Sequence, residues 1–343
     1  MINKLCFTTS LDEKFIPGAI GLIKSIRRFY TPEQADIIVF LQNKSPEFEK
    51  FCTENNAELF MYDTIEPWVM ELIYADPMYK NNPNHYYHPA FKTHEKVPFK
   101  VDPGRETGFH KIHHMHPLNV KAYCTAFCIL IRNYQRVVHV DCDAFLLSSI
   151  DEIFYTYREE NSVIAFVDVI DNLDNLEYLY NVSKPRGWDK RTFGFNAGIM
   201  FYQNGPGIKA LIKDFCFFID SCYHFDRSGH IGDQGLLRSL VAVHSFAGEI
   251  KCYCLPSENW NPLKADADDM VFDKEKDIWI NKKNMEKQRM WHAAGRVKIW
   301  SGNYNAPSAV AAWDWVNGKP VDTRFIIPWK PFTESEHEKA SDR

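Results

Sequence analysis

The 343 residues are 45% hydrophobic and 15% aromatic, enough to bury one large core, which excludes a disordered scaffold. Forty basic residues against 45 acidic ones leave a formal net charge of −5, so the chain lacks the electrostatic footprint of a nucleic-acid binder. No apolar run approaches the roughly 18 residues that cross a bilayer, and Asp12 and Glu13 come too early for a secretory signal. The expectation is a soluble cytoplasmic protein whose membrane contacts, if it makes any, are peripheral. The nine cysteines, an odd and scattered set, read as reduced thiols. Cys124/Cys128 and Cys252/Cys254 would form a zinc site only if the fold joined them; buried cysteines acting as small hydrophobes are the plainer reading.

In chain order, Leu5 to Thr9 reads as a first strand. Phe15 to Tyr30 follows as a helix with Ile16, Ile20, Ile23, Ile26 and Tyr30 on one face. Ala35 to Leu41 is a second strand, Pro46 to Asn55 a helix, and Ala57 to Tyr62 a third strand. An amphipathic helix spans roughly Asn119 to Tyr134, and Arg136 to Asp141 is a buried strand with a polar end. Ser162 to Asp168 and Gly194 to Gln203 are further strands, Gly207 to Cys222 is a helix, and another helix begins near Asp233. Alternating strands and helices predict an α/β fold with a mixed, mostly parallel sheet flanked by helices. Ala75 to Pro117 breaks the pattern with Pro, Asn and Lys and holds seven of the 13 histidines, as expected of an insertion over the active-site face. Past Trp300 the chain turns Pro-rich and ends in a charged tail. The organisation expected is therefore one domain over 1–300, with the insertion at about 75–117, and an extension over 301–343.

Asp141-Cys142-Asp143 lies where the strand ends, and ligands of open α/β sheets bind outside the carboxyl ends of strands. Two carboxylates two residues apart can point the same way. Such a pair repels the diphosphate of a sugar nucleotide unless a hard divalent cation, Mn²⁺ or Mg²⁺, bridges the two. Alone the D-x-D pattern is weak, and a solvated turn explains most chance matches to it. Three downstream segments in fixed order strengthen it: Phe193-Gly-Phe-Asn-Ala-Gly-Ile-Met, Gly232-Asp-Gln-Gly-Leu-Leu and Trp291-His-Ala-Ala-Gly-Arg-Val-Lys-Ile-Trp.

With these four motifs the sequence resembles glycosyltransferase family 8 from its N-terminus to about Trp300, looking most like the glycogenin and galactinol synthase members. The resemblance implies a GT-A fold, Rossmann-like, with a UDP-sugar donor, Mn²⁺ (Mg²⁺ as the alternative ion), a carbohydrate or glycoconjugate acceptor, and hexose transfer with retention of configuration. Carried over by position, Asp141, Asp143 and His292 would hold the metal, with Cys142 in the donor-contacting stretch. Lys298 would meet the diphosphate, and Gly295 would let backbone approach it. Thr8, Thr9 and Ser10 would lie beside the uridine, with Phe15 standing where glycogenin usually has tyrosine. Lys121, Asp168 and Asn196 would reach or line the donor sugar. Asp233, Gln234 and Lys121 form the expected catalytic set at the sugar's reacting face.

Bland readings stand beside these: a core histidine at His292, a surface lysine at Lys298, and helix caps at Ser10, Asp12 and Asp233. The sequence also departs from the family. Ile299 stands where proline is usual, and no tyrosine falls within Asn261 to Asp273, so self-glucosylation is not supported. Two rivals remain: a catalytically inactive GT-A sugar-binding or scaffold protein, which the intact Asp141, Asp143, His292 and Lys298 set disfavours, and a sugar nucleotidyltransferase. The second would need a Gly-rich, basic loop that Thr8 to Gly18 does not supply.

Overall fold

The computed structural model describes residues 2–80, 117–168, 194–221, 233–262, 270–294 and 297–327. The first strand, β1 (Ile2–Leu11), runs into a helical turn, Glu13–Phe15, whose Asp12 cap accepts the Lys14 N–H at 2.9 Å. Helix α1 (Ile16–Phe29) follows with Pro17 in its first turn, where a missing N–H costs nothing. Then come β2 (Ala35–Leu41), α2 (Pro46–Glu54, capped by Ser45), β3 (Ala57–Met61), α3 (Tyr62–Tyr74) and the single turn α4 (Pro77–Lys80). Further along, α5 (Pro117–Ala126) widens into a π turn at Phe127–Ile131 and leads to β4 (Tyr134–Val140). The expected helix to Tyr134 therefore stops short, and Tyr134 already belongs to the strand.

The rest comprises β5 (Ala144–Leu146), α6 (Asp151–Thr156), β6 (Ser162–Val167), β7 (Phe195–Gln203), α7 (Pro206–Ser221), α8 (Asp233–Phe246) and β8 (Lys251–Leu255). Short strands β9 (Met270–Asp273), β10 (Ile278–Asn281), β11 (Glu286–Lys287) and β12 (Met290–His292) precede α9 (Pro307–Val316).

Seven strands make the main sheet in the order β3-β2-β1-β4-β7-β6-β8. All its pairings are parallel except those of β7, which runs against both β4 and β6. Successive side chains leave a strand on opposite faces, so each strand feeds two cores. Phe7, Val39, Val138 and Phe201 pack on one face, toward α1, α2 and α6. Cys6, Phe40, Val137 and Tyr202 pack on the other, with α3, α5, α7 and α8.

A third apolar cluster joins Phe145, Trp279 and Trp291 to Ala309, Ala312 and Trp315 of α9. Past Trp300 the described residues are thus partly core. A Cβ on Gly21 would lie 2.0 Å from the Trp313 ring, so α9 seats its indole directly on the α1 backbone. Among the described residues no helix is long and apolar enough to cross a membrane. The described cysteines are free and form no metal-holding group, so the zinc alternative has no counterpart there. The seven insertion histidines lie outside the described residues.

Candidate active site

Strand β4 is buried along Val137–Val140 and carries the chain to a turn at its carboxyl end, where the Ala144 N–H donates to Asp141 O at 2.9 Å. Past that turn β5 pairs antiparallel with β12, in a register that sets His292 opposite Ala144. The Ala293 N–H donates to Asp143 O at 2.9 Å and extends the ladder by one bond. An imidazole nearly 150 positions away in sequence is thereby delivered to the D-x-D turn by backbone pairing. Asp141, Asp143 and His292 each offer a ligand atom, all within 4.8 Å of one another. His292 Nε2 stands 3.2 Å from Asp143 Oδ1 and 3.9 Å from Asp141 Oδ2.

The surrounding charges hold both carboxylates ionised. Burial opposes ionisation of Asp141, but Lys121, His139 and His292 outweigh it and hold the carboxyl well below its usual range. Burial likewise works against Asp143, and His292 with Lys298 keeps it low despite the neighbouring Asp141. His292 is raised: burial favours its neutral form, and the two carboxylates overcome this, Asp143 first. Burial, and then Asp143 and Asp141, push the Cys142 thiol far up, and its sulfur is not among the grouped ligand atoms. Carboxylate oxygens plus one imidazole suit Mn²⁺ better than Mg²⁺. Gly198 leaves the space, since a Cβ there would lie 2.3 Å from His292 Cε1 and 2.9 Å from Asp141 Oδ2.

Most of the other expected residues converge here. Lys121, buried on α5, places Nζ 3.4 Å from Asp141 Oδ1. Lys298 Nζ donates to Asp143 Oδ2 and lies 5.3 Å from the centroid of the Phe15 ring, which meets Trp300 edge-on. Gly18 packs against the Cys142 carbonyl and Trp300, fixing the start of α1 to the D-x-D turn. Thr8 and Thr9 are buried on β1, with hydroxyls that have no hydrogen-bond partner among the described residues; Ser10 is half-buried beyond them.

Asp168, at the end of β6, accepts from Arg238 at 2.7 Å and from Gln234 Nε2 at 2.9 Å, while Gln234 Oε1 accepts the Ala197 N–H at 2.9 Å. Asn196 Oδ1 accepts the Gly198 N–H at 2.9 Å. Gly295 and the side chain of Asp233 lie outside the described residues. Three site residues escape the motif reading. His139 reaches Asp141 at 3.2 Å, and its signal is a polar residue inside an apolar strand. Arg238 stands four residues after Gln234, hence on the same helix face. Asn261, which meets His292, carries no sequence signal beyond following an aromatic residue in a turn.

No protein-family profile matches the sequence, and no curated protein does. Among solved structures, the galactosyltransferase LgtC in complex with donor and acceptor sugar analogs superposes with a TM-score of 0.51 at 13% identity, over 93% of this chain and 98% of its own. The bifunctional glycosyltransferase WbbM gives 0.50 at 14% identity, over 88% of this chain. The chain has the GT-A glycosyltransferase fold. This GT-A chain spans 47% of WbbM and nearly all of LgtC. In the GT-A frame, the carboxyl end of β4 and the amino end of antiparallel β7 flank the Asp141, Asp143 and His292 group.

Proposed function

We propose that this GT-A chain is a retaining, UDP-sugar-dependent hexosyltransferase of glycosyltransferase family 8, moving glucose or galactose to a carbohydrate or glycoconjugate acceptor. The observation that carries the proposal is the convergence of Asp141, Asp143 and His292 within 4.8 Å from two distant stretches of chain. Asp143 is buried and Asp141 partly exposed, and with the imidazole they form an oxygen-and-nitrogen donor set of the kind that a divalent cation bridges. The four ordered motifs and the LgtC likeness point the same way: a similar fold that holds donor and acceptor sugar analogs.

The cation, Mn²⁺ by donor set, would offset negative charge on the departing diphosphate. The remaining roles fall to the chain. Lys298 stands beside Asp143 and the Phe15 ring, where its ammonium can meet phosphate oxygens while the ring covers the base. Lys121, Asp168 and Asn196 orient the sugar hydroxyls, and Gln234, tied to Asp168 and the β7 backbone, sets the reacting face together with Asp233.

The test is a screen of UDP-hexoses for UDP release with and without Mn²⁺. One hexose should be turned over only with metal. Asp143→Ala should abolish turnover while its circular dichroism spectrum stays native, and wild-type turnover in that variant would refute the proposal.

A further inference from the structure

His292 has two ring nitrogens, and only an unprotonated Nε2 can present a lone pair to a cation between the aspartates. Which nitrogen carries the proton follows from a chain of hydrogen bonds whose first donor is unambiguous. The backbone N–H of Gly198 donates at 2.9 Å to a side-chain atom of Asn196, so that atom is the amide oxygen. Asn261 meets the same oxygen at 3.3 Å and must turn its NH₂ toward it. The other polar atom of Asn261 is then its carbonyl oxygen, an acceptor, 2.9 Å from His292 Nδ1. Nδ1 therefore carries a hydrogen whatever the charge on the ring, and Nε2 is the nitrogen that faces Asp143 and Asp141.

Asn261 has no freedom to break this sequence. It is fully buried, and its own N–H donates to Ser257 O at 2.8 Å. The preceding Trp260 stacks on Phe166 with centroids 5.6 Å apart and planes within 10°. One amide thus joins the imidazole to Asn196 and, through it, to the β7 backbone beside the D-x-D turn.

We infer that Asn261 is a positioning residue that holds Nδ1 of His292 as a donor and fixes the ring orientation, so that Nε2 is the nitrogen aimed at the position a divalent cation would take. This rests on the metal-site reading above.

The test titrates the full chain with Mn²⁺ alone, following free Mn²⁺ by electron paramagnetic resonance. It compares wild type, His292→Ala, Asn261→Leu, Asn261→Ala and Asn261→Asp, with metal-free thermal melts as the folding control. Losing the partner of a ligating histidine should weaken Mn²⁺ binding by about 10- to 100-fold in Asn261→Leu. Asn261→Asp, which keeps an acceptor toward Nδ1, should bind near the wild-type level even if its melting temperature falls; a merely structural asparagine would not separate the two variants in this way. Asn261→Ala serves if the leucine variant does not fold. A folded Asn261→Leu or Asn261→Ala that binds as tightly as wild type would overturn the inference, as would an Asn261→Asp as weak as Asn261→Leu. If wild type binds Mn²⁺ no better than His292→Ala, the metal-site reading itself fails and this inference with it.

Discussion

Adding a single methyl group at Gly198 should dismantle the candidate metal site from behind. Its Cβ would lie 2.3 Å from His292 Cε1, whereas ordinary van der Waals contact begins at 3.4 Å. The imidazole would have to retreat by about 1 Å, several times the roughly 0.2 Å within which metal–ligand distances hold. The ring has nowhere to go, because His292 is 3% exposed and Nδ1 is tied to the buried Asn261. The same Cβ would press on Asn196 Oδ1 and Asp141 Oδ2, each at 2.9 Å, so all three neighbours must move together. Overpacking of this kind costs typically about 1–3 kcal/mol, which leaves a folded protein. Gly198→Ala should therefore melt modestly lower, bind Mn²⁺ at least about tenfold more weakly and lose UDP release in step. Calorimetric Mn²⁺ titration beside a thermal melt measures both. A Gly198→Ala protein with wild-type Mn²⁺ affinity would refute the claim that His292 sits against this glycine as a ligand.

Arg238→Met takes the guanidinium from a buried pair whose side chains are 5% and 4% exposed, and breaking such a pair costs on the order of 3–5 kcal/mol. Urea denaturation should show it, with the lower end expected because Gln234 still reaches Asp168. Lys121→Met should leave Mn²⁺ affinity undiminished, since one positive neighbour of Asp141 is gone, while UDP-hexose turnover falls. A parallel loss of both in isothermal titration and UDP-release assays would contradict a sugar-facing role. Truncation after Trp300 should yield an aggregated or unfolded chain, because Phe145, Trp279 and Trp291 would lose α9 from their cluster. A soluble truncated protein with a native melt would show that this extension is dispensable.

The strands and long helices of the first half were legible because burial imposes a period. Ala35–Leu41 and Pro46–Glu54 fall within a residue of their expected ends, since Ile37 to Leu41 is the unbroken apolar run of a buried parallel strand and Ser45-Pro46 is a capped helix start. Helix α3 was invisible for the opposite reason. It carries Pro67 inside and follows β3 with no intervening loop, so local punctuation argues against it while packing of Ile65, Val69 and Ile73 holds it in place. Strands β5 and β12 are three residues each, too short for any alternation to register.

The site divides along a different line. The residues proposed to meet ligands sit in contiguous motifs, which is why Asp141, Asp143, His292, Lys298 and Gln234 could be named from the sequence, and these five lie gathered at one end of the sheet; Gly295 and the Asp233 side chain are outside the described residues. The residues that hold those groups in place obey no spacing. Asn261 acts on His292 across 31 positions and on Asn196 across 65, and Arg238 acts on Asp168 across 70. Their partners become neighbours only after β12 has paired with β5 and α8 has packed on β7. A glycine is the link between the two classes. Gly198 supplies the one backbone donor that orients the asparagine pair, and by lacking a Cβ it makes room for the imidazole that the pair aligns. Read alone, Asn-Ala-Gly in Phe195-Asn-Ala-Gly-Ile is a strand with a weak point; in the folded sheet, that weak point is where the His292 imidazole and the asparagine pair that aligns it meet.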